Sequence, residues 1–257
     1  MRFKMLVDRP ILRSRIEHAI EAGTGLRFRY ATNLPKLTDR HLHLGAFAAC
    51  GADPSGANGF ILDVGGHTGE SALGFHKSFP EATVHSFEPI SFIFEALRRN
   101  CQPHPAIHCH NLAVGNEIGE LRIALSGKDV LDTMNSLNFV ATSSTPAELT
   151  HTVTITRLDD FCLNQGIKQV AVLKIDVEGY ECQVIEGARA LLGEGRVAHL
   201  LAEFTLDPNN RQNTQLTALE KQLKELKYSL TGFYESSYDA GSGKMLFSNA
   251  LFKSPRL

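Results

Sequence analysis

The chain has 257 residues, of which 43% are apolar and 21% charged, with a formal net charge of −2. That length suits one large α/β domain with an appendage, and the charge excludes the basic stripe of a nucleic-acid binder. The five cysteines (Cys50, Cys101, Cys109, Cys162 and Cys182) are odd in number, widely spaced and free of CxxC pairs, which excludes a disulfide framework or structural zinc site and points to a reducing, cytoplasmic setting.

At the N-terminus, Ile11, Leu12, Arg15, Ile16, Ala19 and Ile20 follow a helical rhythm, and no apolar run nears the ~18–20 residues of a membrane span. Residues 51–59 (GADPSGANG) read as a linker, so residues 1–58 are expected to form a helical cap, lid or dimer contact ahead of a main domain over 59–257. FILDV (60–64) is a buried strand, and 70–78 a helix. Residues 82–88 form a second strand, followed by a helix from Pro89 to Asn100. Residues 106–114 read as a third strand, and 121–125 with 151–158 as an antiparallel pair around a polar segment, 126–150. A strand over 170–176, a helix over 179–192, a strand over 197–204 and a helix over 213–227 follow. Residues 228–235 and 244–253 close as a hairpin. Strands alternating with helices imply right-handed crossovers and a doubly wound, mostly parallel sheet.

The first strand runs into Asp63-Val64-Gly65-Gly66-His67-Thr68-Gly69, a glycine turn at the carboxyl end of the sheet, where open α/β folds bind ligands. The GxGxxG dinucleotide fingerprint fails at His67 and Glu70, and a carboxylate at the helix start repels a pyrophosphate. A phosphate-free nucleoside with a zwitterionic tail, S-adenosylmethionine, suits the turn better: backbone N–H donors and Asp63 can take the tail. Glu88 ends the second strand, where an acidic side chain accepts hydrogen bonds from both ribose hydroxyls. Pro89 follows it, and Asn111, Leu112 and Ala113 are placed to line the adenine.

Residues 174–181 read KIDVEGYE. Asp176 emerges from a buried strand at the same sheet edge, Glu178 can share its cleft, and Lys174 lies on the same strand face as Asp176, where burial demands a carboxylate partner. Asp176, Glu178 and His67 are candidate bases for a hydroxyl acceptor. Lys174, Glu203, Asn135 and Ser136 are candidate acceptor contacts, with Asp207 and Asn209 nearby in sequence. No metal is expected, because His104, His108, His110 and Cys109 lack chelating spacing; the one version worth testing is a carboxylate-held Mg²⁺ near Asp176.

DVGGHTG (63–69), FEP (87–89), AVGNEIG (113–119), RLDDF (157–161), KIDVEGYE (174–181) and AEF (202–204) occur in order. This series resembles the FkbM-type methyltransferases from about Phe60 to Phe204. Gly66-His67 stands where that family has Ala-Asn. The resemblance implies a class I, Rossmann-like S-adenosylmethionine-dependent fold, cofactor contacts at Asp63, Gly65 and Glu88, and O-methylation of a sugar or other small-molecule hydroxyl. Its rivals are a dinucleotide-dependent oxidoreductase and a non-catalytic nucleoside-binding scaffold. The expected partners are a small-molecule or saccharide acceptor and a second copy in a homodimer, with neither nucleic acid nor membrane.

Overall fold

The computed structural model describes residues 59–124, 150–210 and 213–256. The expected cap over 1–58 and the contacts Asn135 and Ser136 lie outside the described residues. In chain order the elements are β1 (Phe60–Val64), α1 (Glu70–Ser78), β2 (Thr83–Phe87), α2 (Ser91–Cys101), β3 (Ile107–His110), β4 (Ala113–Val114), β5 (Gly119–Ala124) and β6 (Thr150–Thr156). There follow α3 (Leu158–Gln165), β7 (Val170–Ile175), α4 (Glu181–Gly187), α5 (Arg189–Gly193), β8 (Val197–Phe204), α6 (Leu216–Glu225), β9 (Ser229–Tyr238) and β10 (Met245–Lys253). No described helix is long and apolar enough to cross a membrane.

Seven strands form one sheet in the order β3-β2-β1-β7-β8-β10-β9. The first five are parallel neighbours, and β10 and β9 close the sheet as an antiparallel pair. The expected doubly wound, mostly parallel sheet with a C-terminal hairpin is present. Chain order reverses between β1 and β7, which opens a crevice beyond their carboxyl ends. Alternate residues of β1 feed two cores: Leu62 and Val64 pack in one, Ile61 in the other. Both faces are covered, which is why these strands read as unbroken apolar runs.

Several boundaries differ from expectation, and four of the differences have a visible cause or consequence. Residues 106–114 are two strands, β3 in the main sheet and β4 in a second, three-stranded sheet of order β4-β6-β5. The chain turns off at Asn111, whose amide donates to the carbonyls of Glu88 and Pro89 at 2.9 and 3.0 Å. Helix α2 starts at Ser91 rather than Pro89. Leu158 opens helix α3 instead of ending a strand. The helix expected over 179–192 is two, parted at Ala188, because a Cβ on Gly187 would fall 1.8 Å from the Gly115 carbonyl oxygen. The two backbones touch there, and α4 ends against β4's loop. Asp159 of the LDD segment is structural: its carboxylate accepts the backbone N–H groups of Ala190 and Leu191, both at 2.9 Å, capping the start of α5.

Candidate active site

The turn after β1 folds tightly onto the strands below it. Gly65 has φ +85°, and a Cβ on it would lie 1.7 Å from the Asp176 carbonyl oxygen; one on Gly66 would lie 2.2 Å from Ser86 Oγ. These two glycines therefore answer to close packing on β2 and β7. Their N–H groups are also engaged, both donating to the Phe87 carbonyl, at 3.1 and 2.8 Å. A zwitterionic tail cannot use those two donors, contrary to the sequence reading.

His67 holds the left-handed φ of 45° that places it on the turn's rim. Thr68 Oγ1 donates to Glu70 Oε1 at 2.5 Å and lies 3.3 Å from His67 Nδ1. With its only hydrogen committed to Glu70, Thr68 accepts from His67, which assigns the ring proton to Nδ1. Nε2 is then an acceptor, and it is buried without a hydrogen-bond partner among the described residues. Burial holds the His67 pKa below its ordinary value. A neutral imidazole with an open lone pair can receive a proton from a bound group.

Glu88 faces the turn. Its Oε2 accepts the His67 N–H at 3.1 Å and its Oε1 the Ile90 N–H at 2.9 Å. Each oxygen keeps a second lone pair, the pair of acceptors that two ribose hydroxyls require. Burial pushes its pKa up to about 7, against the pull of those two N–H groups and of Lys174. Asn111 fixes the loop above it, and its Oδ1 accepts from Ser91 Oγ at 3.1 Å. Leu112 packs partly buried against the core, while Ala113 is 1% exposed inside β4. Ala113 can thus offer a ligand only its backbone.

Lys174 is 2% exposed. Its Nζ lies 3.3 Å from both Asp63 Oδ1 and Asp176 Oδ2 and donates to the Gly65 carbonyl at 3.0 Å. Burial would drain its charge, but Asp63 and Asp176 outweigh it and raise the pKa. Lys174 is therefore an internal strut under the turn rather than the expected acceptor contact. Asp63 is fully buried and also accepts from Ser86 Oγ at 2.7 Å. Direct contact with a cofactor amine would require the turn to open. Asp176, 31% exposed at its side chain, is the member of this chain that reaches the surface.

Glu178 and Glu203 join Asp176: one carboxylate oxygen from each lies within 4.8 Å of the others. Glu203 is the next-to-last residue of β8, is buried, and accepts from Asn213 Nδ2. Burial, then Asp176, Glu178 and Glu181, push its pKa up to about 10, so it stays protonated at neutral pH and can donate. The expectation of no metal meets a set of three oxygens here that is spaced to hold a cation. Sequence reasoning missed what shapes this cluster. Glu181, fully buried, accepts the N–H groups of Val177 and Gly179 at 3.2 and 3.1 Å and the Thr214 hydroxyl. It ties the turn that carries Glu178, which has φ 53°. The available signal was a Glu opening a helix just after a glycine turn, a position from which it reaches back to free N–H groups.

The histidines of β2 and β3 pack on one another. His85 Nδ1 and His110 Nε2 are 3.0 Å apart, a direct hydrogen bond, and His108 stacks on His85. Such stacked rings share no central point for a metal.

A family model described as "Methyltransferase FkbM domain" matches residues 63–230. The chain belongs to the FkbM methyltransferase family. It is 30% identical over 175 residues to "Methyltransferase 1" of Beauveria bassiana, covering 62% of this chain and 70% of that protein. It is 32% identical over 152 residues to the "31-O-demethyl-FK506 methyltransferase FkbM" of Streptomyces tacrolimicus, covering 49% and 58%. To the "2-O-methyltransferase NoeI" of Sinorhizobium fredii it is 26% identical over 145 residues, covering 53% and 60%. For these last two, the match spans less than two thirds of the relative. Among solved structures, Aeropyrum pernix fibrillarin is similar with a TM-score of 0.45 at 14% identity, covering 83% of this chain and 75% of that one. The FkbM chain thus has the class I, Rossmann-like fold and uses S-adenosylmethionine as cofactor.

The side chains fit that cofactor at its sugar. Glu88 offers two lone pairs beside the turn, and the tail must find donors other than Gly65 and Gly66. Binding of S-adenosylhomocysteine is expected to tighten as pH rises through about 7, because only ionised Glu88 accepts from both hydroxyls. Each pH step below that point should weaken binding by up to about tenfold per unit, and Glu88→Gln should flatten the profile. Calorimetric titration across roughly pH 5.5 to 8.5 checks it; an unchanged slope in the variant would assign the effect elsewhere.

Proposed function

We propose that this FkbM methyltransferase moves the methyl group of S-adenosylmethionine to a hydroxyl of a saccharide or other small polyhydroxylated molecule. The observation that carries this reading is the Asp176, Glu178 and Glu203 cluster at the mouth of the crevice, beside the cofactor turn. The cofactor supplies an electrophilic methyl on a sulfonium. What remains for the protein is to hold an acceptor oxygen in line and to take its proton as the bond forms.

Asp176 is the group assigned to take that proton. It is anchored from behind by Lys174 and partly exposed in front, so it is held in one orientation toward an incoming hydroxyl. Glu203, protonated, donates to a second acceptor oxygen, and Glu178 accepts from a neighbouring hydroxyl. Adjacent donor and acceptor groups of this kind match a vicinal diol, which presents both roles on neighbouring carbons. The relatives' printed names, a 31-O-demethyl substrate and a 2-O-methyltransferase, point to oxygen as the receiving atom.

The test is release of S-adenosylhomocysteine from the purified chain with a panel of mono- and oligosaccharides, their deoxy analogues and matched amines. Turnover is expected with one hydroxylated class and its loss when the receiving hydroxyl is removed. Turnover with amines alone would overturn the reading. Excess EDTA is expected to leave the rate within about twofold. Lys174's ammonium already lies against Asp176, and a divalent cation added beside it would meet like-charge repulsion. Loss of rate restored by Mg²⁺ would instead make the three carboxylates a cation site.

A further inference from the structure

The turn after β1 leaves a ring nitrogen without a partner among the described residues. The Gly65 carbonyl takes the Lys174 ammonium at 3.0 Å, the Gly66 carbonyl the Gly69 N–H at 2.8 Å, and the Thr68 carbonyl the Asn100 side chain at 2.8 Å. Asp63 is sealed in the charged row beneath the turn, between Lys174 and the Ser86 hydroxyl. His67 Nε2 differs: it is buried, it carries a lone pair, and no described residue donates to it. Its residue also holds a left-handed backbone, φ 45°, which a side chain with a Cβ adopts at a cost and which clusters at ligand clamps. The His67 N–H is bonded to Glu88 Oε2, so the ring starts where the ribose is gripped. Thr68 Oγ1, 3.3 Å from Nδ1, holds the ring's orientation and keeps the proton off Nε2. Glu70, Lys174 and Asp176 are the charged groups whose fields reach the ring.

We propose that His67 Nε2 accepts a hydrogen bond from the α-ammonium of S-adenosylmethionine and so anchors the cofactor's amino-acid tail. The role falls to this nitrogen because the other acceptors of the turn are engaged and Asp63 stands behind Lys174. A cation donating to the lone pair makes a charge-assisted bond, stronger than one between neutral groups. An imidazolium would repel the ammonium; burial keeps the ring neutral and its lone pair available. The sulfur of the cofactor lies between its ribose and its tail. Glu88 on one side and His67 on the other therefore fix where the methyl group points. The two groups that could have competed for the acceptor's proton then have separate tasks: His67 holds the tail, and Asp176 is left to face the acceptor.

The test compares two nucleosides by calorimetry on the full chain. S-adenosylhomocysteine carries the ammonium; 5′-S-(3-carboxypropyl)-5′-thioadenosine differs only in lacking it. The parent should bind the first at least about tenfold more tightly. In His67→Leu protein that gap should close: affinity for S-adenosylhomocysteine falls by about tenfold, and affinity for the deaminated compound stays within about twofold. His67→Gln, whose amide oxygen reaches to the place of Nε2, should keep most of the gap. A general disturbance of the turn would weaken both compounds alike, and that result overturns the proposal. So does a gap that survives in His67→Leu. If the leucine variant fails to fold, ¹⁵N spectra of the parent's histidines decide, with the His67 signals assigned by their loss in His67→Gln. Nε2 should be unprotonated, shift when S-adenosylhomocysteine binds, and stay in place with the deaminated compound. A proton on Nε2 in the free protein, or equal shifts with both compounds, overturns the assignment.

Discussion

Asp176→Asn will slow methyl transfer by about 10²–10⁴-fold while changing S-adenosylhomocysteine affinity far less. The substitution keeps the shape of the side chain and an oxygen for Lys174, whose Nζ lies 3.3 Å away. What it removes is the capacity to accept a proton. Single-turnover measurements with a competent acceptor isolate that step from binding and product release. The competing base is His67, whose bare Nε2 is likewise placed to receive a proton. His67→Gln with a preserved rate and Asp176→Asn with a collapsed one would settle the choice for the carboxylate. The reverse pattern would transfer the role to the imidazole and leave Asp176 an orienting group.

Lys174→Met should destabilise the fold by about 3–5 kcal/mol, among the larger costs a single substitution carries. The ammonium compensates two carboxylates, and one of them, Asp63, has no exposure to water. Methionine fills similar volume but leaves that charge alone in the interior. Thermal unfolding should shift down by about 6–20 °C for a chain of this size. One further result is expected: Lys174→Met with Asp63→Asn recovers much of the loss. A single variant that melts with the parent would show that the row under the turn is not electrostatically coupled.

The parallel strands were legible because both their faces are buried, and an apolar run such as FILDV has few other uses. The position of Glu88, just past β2 and facing the turn, was also legible. What stayed hidden depends on contacts between distant segments. Nothing local marks Asn111 as the point where the chain leaves the sheet; its partners are the carbonyls of Glu88 and Pro89. The break at Ala188 comes from Gly187 meeting Gly115, a proximity absent from either stretch alone. Lys174 was read on the correct strand face with its carboxylate partner, yet its role changed from acceptor contact to strut once its depth was known.

The order β8-β10-β9 bears on how the protein is made. Strand β9 leaves the ribosome before β10, yet its place is outboard of it, so it has no seat until its successor arrives. Until then β8, which carries Glu203, presents an open row of peptide groups to the crowded surroundings of a nascent chain. The acidic cluster therefore matures late, when the hairpin inserts as a unit, and chain released before residue 253 would be a target for chaperones and proteases rather than a slower enzyme.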